Sequence, residues 1–153
     1  MNKQIIYLFL LIFILCGCSS NRMSEHYVFQ NKDEAIESVE LLLNPYTDDG
    51  YSEHEGEFIS IRTLEKNEIS SFMESVYALE TGKCISPPPT NHGFYIVRVT
   101  YENGDIEMLG SYHLEFVKKG EAPKGIGAYY FTSQTAFETL FYEYAKTGDG
   151  SLS

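Results

Sequence analysis

The chain has few positively charged residues and no tryptophan. It contains 11 Lys and Arg against 22 Asp and Glu, which gives a formal net charge of −11 at pH 7. An acidic surface repels phosphate backbones, so the composition argues against a nucleic-acid partner. Because tryptophan is absent, the 12 tyrosines and 10 phenylalanines supply all the large aromatic rings, and we expect most of them to fill the core.

Long hydrophobic runs are also scarce, and the clearest one lies at the N-terminus, from Ile5 to Leu15. A helix from Ile5 to Cys18 would be roughly 21 Å long at about 1.5 Å per residue. That length is short of the ~30 Å hydrocarbon core of a bilayer. One basic residue, Lys3, precedes the run and small residues follow it. This order is typical of a secretory signal peptide rather than of a membrane span.

The end of the run, Leu15-Cys16-Gly17-Cys18, resembles the lipobox of bacterial lipoproteins. The resemblance implies that a signal peptidase cuts between Gly17 and Cys18 and removes residues 1–17. It also implies that the Cys18 sulfur carries a diacylglyceryl group and that the new amino group can be acylated. Each buried methylene adds about 0.8 kcal/mol, so two or more acyl chains hold a protein stably on a membrane. We therefore expect the protein in the cell envelope, lipid-anchored to the outer face of the cytoplasmic membrane or to the outer membrane.

Loss of this leader changes the charge and the thiol count of the mature chain. Lys3 is the one charged side chain removed, which leaves 10 basic and 22 acidic residues and a formal net charge of −12. Anionic headgroups repel such a chain, so we expect the lipid on Cys18, and not the domain surface, to contact the membrane. With Cys16 removed and Cys18 alkylated, Cys84 is the free thiol that remains. An intramolecular disulfide is then excluded.

The mature chain is long enough for one domain. We interpret residues 18–25 as a lipidated tether, residues 26–147 as the domain and residues 148–153 as a flexible tail. Hydrophobic periodicity predicts an α+β fold, with two amphipathic helices packed on one face of a single antiparallel sheet of about five strands.

The predicted strands cover residues 37–43, 58–64, 94–102, 105–117 and 128–132. The apolar positions of residues 35–43 fit both helix and strand periods, and we favour a strand. The first helix is predicted to begin at an Asn67 cap and to end near Gly82. The second is predicted to begin at a capping box formed by Thr135 and Glu138.

Asn103-Gly104 is the strongest turn signal in the chain. A two-residue loop pairs Glu102 with Asp105 and, further along the strands, Val99 with Met108 and Tyr95 with Tyr112 on one face. This register assigns one face of the hairpin to the core. The opposite face is predicted to be mostly wet and to carry Arg98, Thr100, Glu107, Ser111, His113 and Glu115.

An acidic loop, predicted at residues 44–56 and followed directly by Glu57, is a candidate metal site. The candidate ligands are Asp48, Asp49, Glu53, His54, Glu55 and Glu57. Their order matches no calcium-loop spacing. A solvated loop is the favoured interpretation, and the sequence predicts no metal and no cofactor.

Cys84 and His92 bracket three successive prolines and are a candidate nucleophile and base. The sequence supplies no third orienting group and no oxyanion site for them. We therefore predict no catalytic residue. His113 is a candidate pH-sensitive contact, and a solvated side chain is the simpler interpretation.

The favoured function is a non-enzymatic, lipid-anchored extracytoplasmic module that binds a protein or an envelope component. An immunity or inhibitor protein that neutralises a basic toxin or enzyme fits the same features. Tyr46, Tyr51 and Phe94 are the predicted surface aromatics for such an interface. The alternatives are a small thiol hydrolase that uses Cys84 and His92, and an accessory ligand-binding subunit of a transporter.

The lipid anchor predicts the outcome of one substitution. Cys18→Ala removes the sulfur that the diacylglyceryl group needs, so the protein is expected to move from the membrane fraction to soluble or unprocessed material. Membrane fractionation measures the location of the variant, and mass spectrometry of its N-terminus shows whether it is cleaved and lipidated. A variant that is still cleaved and still membrane-bound would contradict the lipoprotein interpretation.

Overall fold

The computed structural model describes residues 27, 29, 31–45, 58–83, 93–121 and 129–146. Several sequence predictions concern residues outside these ranges and stay predictions. They are the signal peptide, Cys18, the tether, the acidic loop, Cys84, His92, Tyr46, Tyr51 and the tail.

The described chain forms seven strands and two helices. The strands are β1 (Ile36–Leu43), β2 (Ile59–Thr63), β3 (Thr81–Lys83), β4 (Tyr95–Tyr101), β5 (Ile106–Gly110), β6 (Leu114–Val117) and β7 (Tyr129–Phe131). The helices are α1 (Lys66–Tyr77) and α2 (Gln134–Lys146). All strands join one antiparallel sheet in the order β2-β1-β4-β5-β6-β7-β3. The α+β class with a single antiparallel sheet and two helices is confirmed, but the sheet has seven strands and not about five.

The two additional strands have separate physical causes. The predicted strand 105–117 is divided by a turn, in which the Gly110 N–H donates to the His113 carbonyl (2.9 Å). The first helix stops at Tyr77, well before Gly82, and the chain then forms β3 against β7. A three-residue strand is too short to display a period.

The apolar positions of residues 35–43 fit both a helix and a strand period, and in the structure this segment forms strand β1. A turn precedes it, in which the Glu34 N–H donates to the Asn31 carbonyl (2.8 Å). β1 then lies between β2 and β4, and its side chains at Val39 and Leu41 are fully buried.

Both helices begin at residues other than the predicted caps. The residue before α1 is Glu65, and its N–H donates to the carboxylate of Glu68 (3.0 Å), so Asn67 is not the cap. At α2 the Ser133 hydroxyl accepts the Ala136 N–H (3.2 Å). Thr135 lies inside the helix, so the predicted Thr135–Glu138 box is wrong. The Glu68 carboxylate at α1 and the Ser133 hydroxyl at α2 thus accept N–H groups that the start of a helix leaves without a backbone partner.

The core lies between the two helices and one face of the sheet. The predicted apolar stripes of the helices are confirmed there, and the buried members are Phe72, Met73, Val76, Phe137, Leu140 and Phe141. A smaller cluster of Leu42, Ile96 and Met108 is buried on the opposite face of the sheet. That face is therefore not as wet as predicted. Neither helix of the described chain has both the length and the apolar composition needed to cross a bilayer.

Arg62 holds both helices to the edge strand β2. Its guanidinium donates to the carboxylate of Glu68 (2.7 Å) on α1 and to the backbone carbonyl of Tyr144 on α2. A cation at the C-terminal turn of a helix also interacts favourably with the helix dipole. This contact fixes the end of α2 against β2.

The register of the β4–β5 hairpin differs by one residue from the predicted one. The Gly104 N–H donates to the Tyr101 carbonyl (2.8 Å), and Gly104 has a φ of +86°. A turn followed by one glycine in the left-handed conformation makes a three-residue hairpin loop, here residues 102–104. The predicted two-residue loop would need a positive φ at both Asn103 and Gly104. The strands consequently pair Val99 with Glu107 and Arg98 with Met108.

This shift exchanges the two faces of β5, because successive side chains on a strand point to opposite sides. Glu107 faces the core and is 0% exposed, and Met108 takes the opposite face. Ser111 is also buried. The prediction that Glu107 and Ser111 lie on a wet face is therefore wrong, whereas Arg98 is half-buried on the outer face beside Glu40 (3.2 Å).

We expect Gly104→Val to loosen this hairpin. A non-glycine residue held in the left-handed region costs about 1–2 kcal/mol, and urea unfolding measures the loss of folding free energy. A Cβ at position 104 would also approach the flexible Lys119 side chain (2.7 Å to Cδ). Glu102→Ala, at an exposed position of the same loop, is the control. Equal losses in the two variants would contradict the turn geometry.

Candidate interaction surface

Four large apolar side chains of the described residues are exposed. They are Ile59 (52%), Phe94 (40%), Tyr112 (42%) and Tyr142 (41%). The last residues of β1 and β5 and the first residues of β2 and β4 all lie at the same end of the antiparallel sheet. The four side chains therefore gather at that end, and we call them the end surface.

Tyr95, the first residue of β4, lies at the centre of the end surface. Its ring centroid is 4.9 Å from that of Phe94 and 5.0 Å from that of Tyr142. Leu43 pairs with Tyr95 on one side and with Ile59 on the other. Phe94 and Tyr142 thus meet at Tyr95, whereas Ile59 lies two strands away at the same end of the sheet.

Tyr112 joins this neighbourhood through a glycine. Gly93 is buried and has a φ of +90°, and a Cβ at this position would lie 2.9 Å from the Tyr112 ring. The glycine therefore permits the ring of Tyr112 to approach the backbone directly before Phe94. The β5–β6 turn, which carries Tyr112, turns this ring outward, so the predicted pairing of Tyr112 with Tyr95 on the core face is wrong.

A hydrogen bond between the hydroxyls of Tyr95 and Tyr142 joins β4 to α2 at the surface. This hydrogen bond, together with partial burial and the nearby Tyr142 and Glu138 groups, raises the pKa of Tyr95 to about 12. The neutral phenol is therefore the form that the folded protein stabilises. The end surface combines apolar rings with a fixed polar group, as interface aromatics commonly do.

Charged groups of both signs surround the rings on α2. Glu138 is close enough to Tyr95 to raise its pKa, and Glu143 is exposed on the same helix. The Nζ of Lys146 lies 5.9 Å from the centroid of the Tyr142 ring. An apolar centre with a charged rim is the usual anatomy of a protein interface.

Of the three predicted surface aromatics, Phe94 is exposed in the structure. Tyr112 and Tyr142 were not predicted. Tyr142 falls outside the buried stripe of α2, and this offset is the sequence signal that would have identified it. His113 is half-buried in the β5–β6 turn, where its carbonyl accepts the Gly110 N–H.

A second polar feature lies inside the domain. The carboxylate of Glu107 accepts hydrogen bonds from the hydroxyls of Tyr101 (2.7 Å) and Tyr27 (3.1 Å). Burial, and then the charge of Glu107, raise the pKa of both tyrosines. They therefore stay protonated and can donate. A buried carboxylate requires such donors, since desolvation without them costs several kcal/mol.

This buried site does not resemble an active site. Glu107 is 0% exposed, so a substrate cannot reach it without a rearrangement of the fold. Within the described ranges, no group of three or more His, Cys, Asp or Glu side chains is placed to hold a metal ion. The Cys84–His92 pair lies outside those ranges.

An open cleft of about 410 Å³ lies between α1 and the turn before β1. Its apolar lining consists of Ile36, Ile69, Met73 and Tyr77. Lys32 and Lys66 line it together with Glu34 and Glu74. Because the two positive and the two negative side chains balance, the lining favours neither an anionic nor a cationic ligand. The cleft therefore does not indicate a class of ligand.

No protein-family model, no curated protein and no solved structure matches the chain. The function must therefore be inferred from the chemistry of the end surface and of the N-terminal sequence.

The hydroxyl pair predicts a titration. Tyr95 is expected to ionise near pH 12 in the folded protein, and in Tyr142→Phe its pKa should fall towards the ordinary value of about 10. Folding raises the pKa of Tyr95, so the protonated Tyr95 hydroxyl stabilises the folded protein. This contribution is complete below the pKa of tyrosine in the unfolded chain and is lost as the pH rises through about 12.

Ultraviolet absorbance of the phenolates, or NMR of labelled tyrosine, measures this titration. Tyr112→Phe removes an exposed hydroxyl of the same surface and serves as the control. An unchanged Tyr95 titration in Tyr142→Phe would contradict the hydroxyl contact.

Proposed function

We propose that the protein is a lipid-anchored, extracytoplasmic, non-enzymatic module that binds a partner protein through its end surface. The lipobox-like sequence at Cys18 supports the anchor. The observation that carries the binding role is the exposure of Ile59, Phe94, Tyr112 and Tyr142, of which the three aromatic residues are brought together through Tyr95 and Gly93.

Exposed apolar residues are common on protein surfaces when they are scattered. A group of them rimmed by polar residues is a mark of an interaction site. Tyrosine in particular is enriched among the residues that dominate binding energy. The rings also stand on a rigid base, since Tyr95 packs on Phe141, which is buried in the core (5.1 Å between centroids).

Charge indicates the chemistry of the partner. The mature chain carries 10 basic and 22 acidic residues. A partner with a basic surface around an apolar contact would be attracted to it, and complementary charge increases the rate of association. An immunity or inhibitor protein that neutralises a basic toxin or enzyme is the role that best combines this charge with an anchored position.

Substitutions on the end surface test the proposal. The lipid-free mature chain is used to capture binding proteins from envelope and secreted fractions, and the captured protein is purified and titrated by calorimetry. We expect a basic protein whose affinity falls at least tenfold, or about 1.4 kcal/mol, for Phe94→Ala and for Tyr112→Ala. The affinity should also weaken as salt is added.

Thr63→Ala is the matched control, because Thr63 is exposed at the other end of β2, the strand that begins with Ile59. This variant should bind as the wild type does. A partner whose affinity is unchanged by the Phe94 and Tyr112 substitutions would overturn the assignment of the surface.

A further inference from the structure

The ring of Tyr142 already holds a cation of its own helix. The Nζ of Lys146, four residues further along α2, lies 5.9 Å from the centroid of this ring. An aromatic face attracts a cation that lies within about 6 Å of the ring centroid. The observed distance is close to that limit, and both side chains are exposed. The contact with Lys146 is therefore weak, and another cation can replace the ammonium group.

Two other lysines of the described residues also lie over tyrosine rings. The Nζ of Lys32 is 5.5 Å from the centroid of Tyr77, and that of Lys83 is 5.6 Å from the centroid of Tyr129. Tyr77 and Tyr129 are half-buried, whereas Tyr142 is 41% exposed. Among these three rings, Tyr142 is therefore the one that a partner reaches most easily.

The position of the Tyr142 ring is fixed within the protein. Its hydroxyl forms a hydrogen bond with that of Tyr95. The two ring centroids are 5.0 Å apart, and the ring planes are inclined by 62°. Tyr95 in turn packs on Phe141, which is buried in the core. A ring that is already held in place loses little conformational entropy when a partner binds to it.

A carboxylate accompanies this ring. Glu138 lies four residues before Tyr142 on α2, so the two side chains are neighbours on the helix surface. The hydrogen bond from Tyr142 is the main cause of the raised pKa of Tyr95, and the charge of Glu138 adds to it. Glu138 is therefore close to the hydroxyl pair. A cation on the Tyr142 ring would have a carboxylate beside it, and charge-assisted hydrogen bonds are stronger than neutral ones.

We propose that the Tyr142 ring and the Glu138 carboxylate form a binding site for an arginine side chain of the partner, and that Lys146 is a competitor which this arginine displaces. The proposal rests on the proposed function, because the arginine belongs to the basic partner protein. Arginine suits the site better than lysine does. Its planar guanidinium is less strongly hydrated, stacks on aromatic faces and matches the geometry of a carboxylate. The excess of 22 acidic over 11 basic residues also attracts a cation rather than an anion.

An NMR titration with N-acetyl-arginine amide tests the site. N-acetyl-citrulline amide, which has a similar shape but no charge, is the matched probe. The intact protein in detergent micelles is used, so the result does not depend on the state of its N-terminus. We expect the arginine probe to shift the ring signals of Tyr142 and Tyr95 more than that of Tyr112. The citrulline probe should bind more weakly by about threefold or more.

Substitutions of Tyr142 and Glu138 separate a cation site from an apolar contact. Tyr142→Phe keeps an aromatic face and should retain most of the affinity for the arginine probe. Tyr142→Leu keeps an apolar side chain without that face, and the affinity should fall by about threefold or more. Glu138→Gln keeps the size of the side chain but removes its charge, and it should also weaken binding of the arginine probe.

Substitution of Lys146 tests the competition. Lys146→Gln removes the cation from the ring, so the arginine probe should bind about threefold more tightly. Lys118→Gln is the matched control, because it removes the same charge at an exposed position. Lys118 follows Val117, which pairs with Ile106 at the other end of β5 from the end surface. This variant should bind the arginine probe nearly as the wild type does.

The outcomes are distinct. Equal binding of the arginine and citrulline probes, or an affinity for arginine that Tyr142→Leu leaves unchanged, would overturn the cation site. Equal effects of Lys146→Gln and Lys118→Gln would show that overall charge acts and not competition at the ring. The proposed function fails by a different result, which is a captured partner whose affinity does not change with Phe94→Ala and Tyr112→Ala.

Discussion

The conformation of Gly104 decides which side chains of β5 enter the core, and much of the domain follows from that choice. With one left-handed residue in the turn, Val99 lies opposite Glu107, and the carboxylate is carried into the interior. A buried carboxylate without donors costs several kcal/mol. The fold therefore requires hydroxyl groups at this place, and Tyr101 supplies the nearer one.

The second hydroxyl comes from Tyr27, which links the interior of the domain to its N-terminal chain. In the same register β5 ends at Gly110, and the turn that follows places Tyr112 at the surface near Phe94. One backbone geometry thus connects the buried carboxylate and the end surface. Tyr27, through Glu107, and Phe94, beside the start of β4, are thereby both connected to the β4–β5 hairpin.

The element types and the core faces of both helices could be predicted because their apolar periods are long and strong. The register could not, since Asn103-Gly104 suits both a two-residue and a three-residue loop and the sequence does not distinguish them. β3 was not predicted because three residues are too few to show a hydrophobic period. The β5–β6 turn was not predicted because apolar and polar residues alternate through residues 105–117 without a turn signal. Phe94 is one of the three predicted surface aromatics, and it is exposed. The exposure of Tyr112 depends on a turn that only the fold supplies, whereas the position of Tyr142 outside the buried stripe of α2 can be read from the sequence.

The pairing of β4 with β5 is the physical basis of this description, and NMR measures it directly. In isotope-labelled protein we expect the strong cross-strand nuclear Overhauser effects to connect Arg98 with Met108 and Thr100 with Ile106, in the observed register. Effects that connect Val99 with Met108 and Tyr101 with Ile106 would instead indicate the two-residue loop. That result would return Glu107 to the solvent and contradict the account.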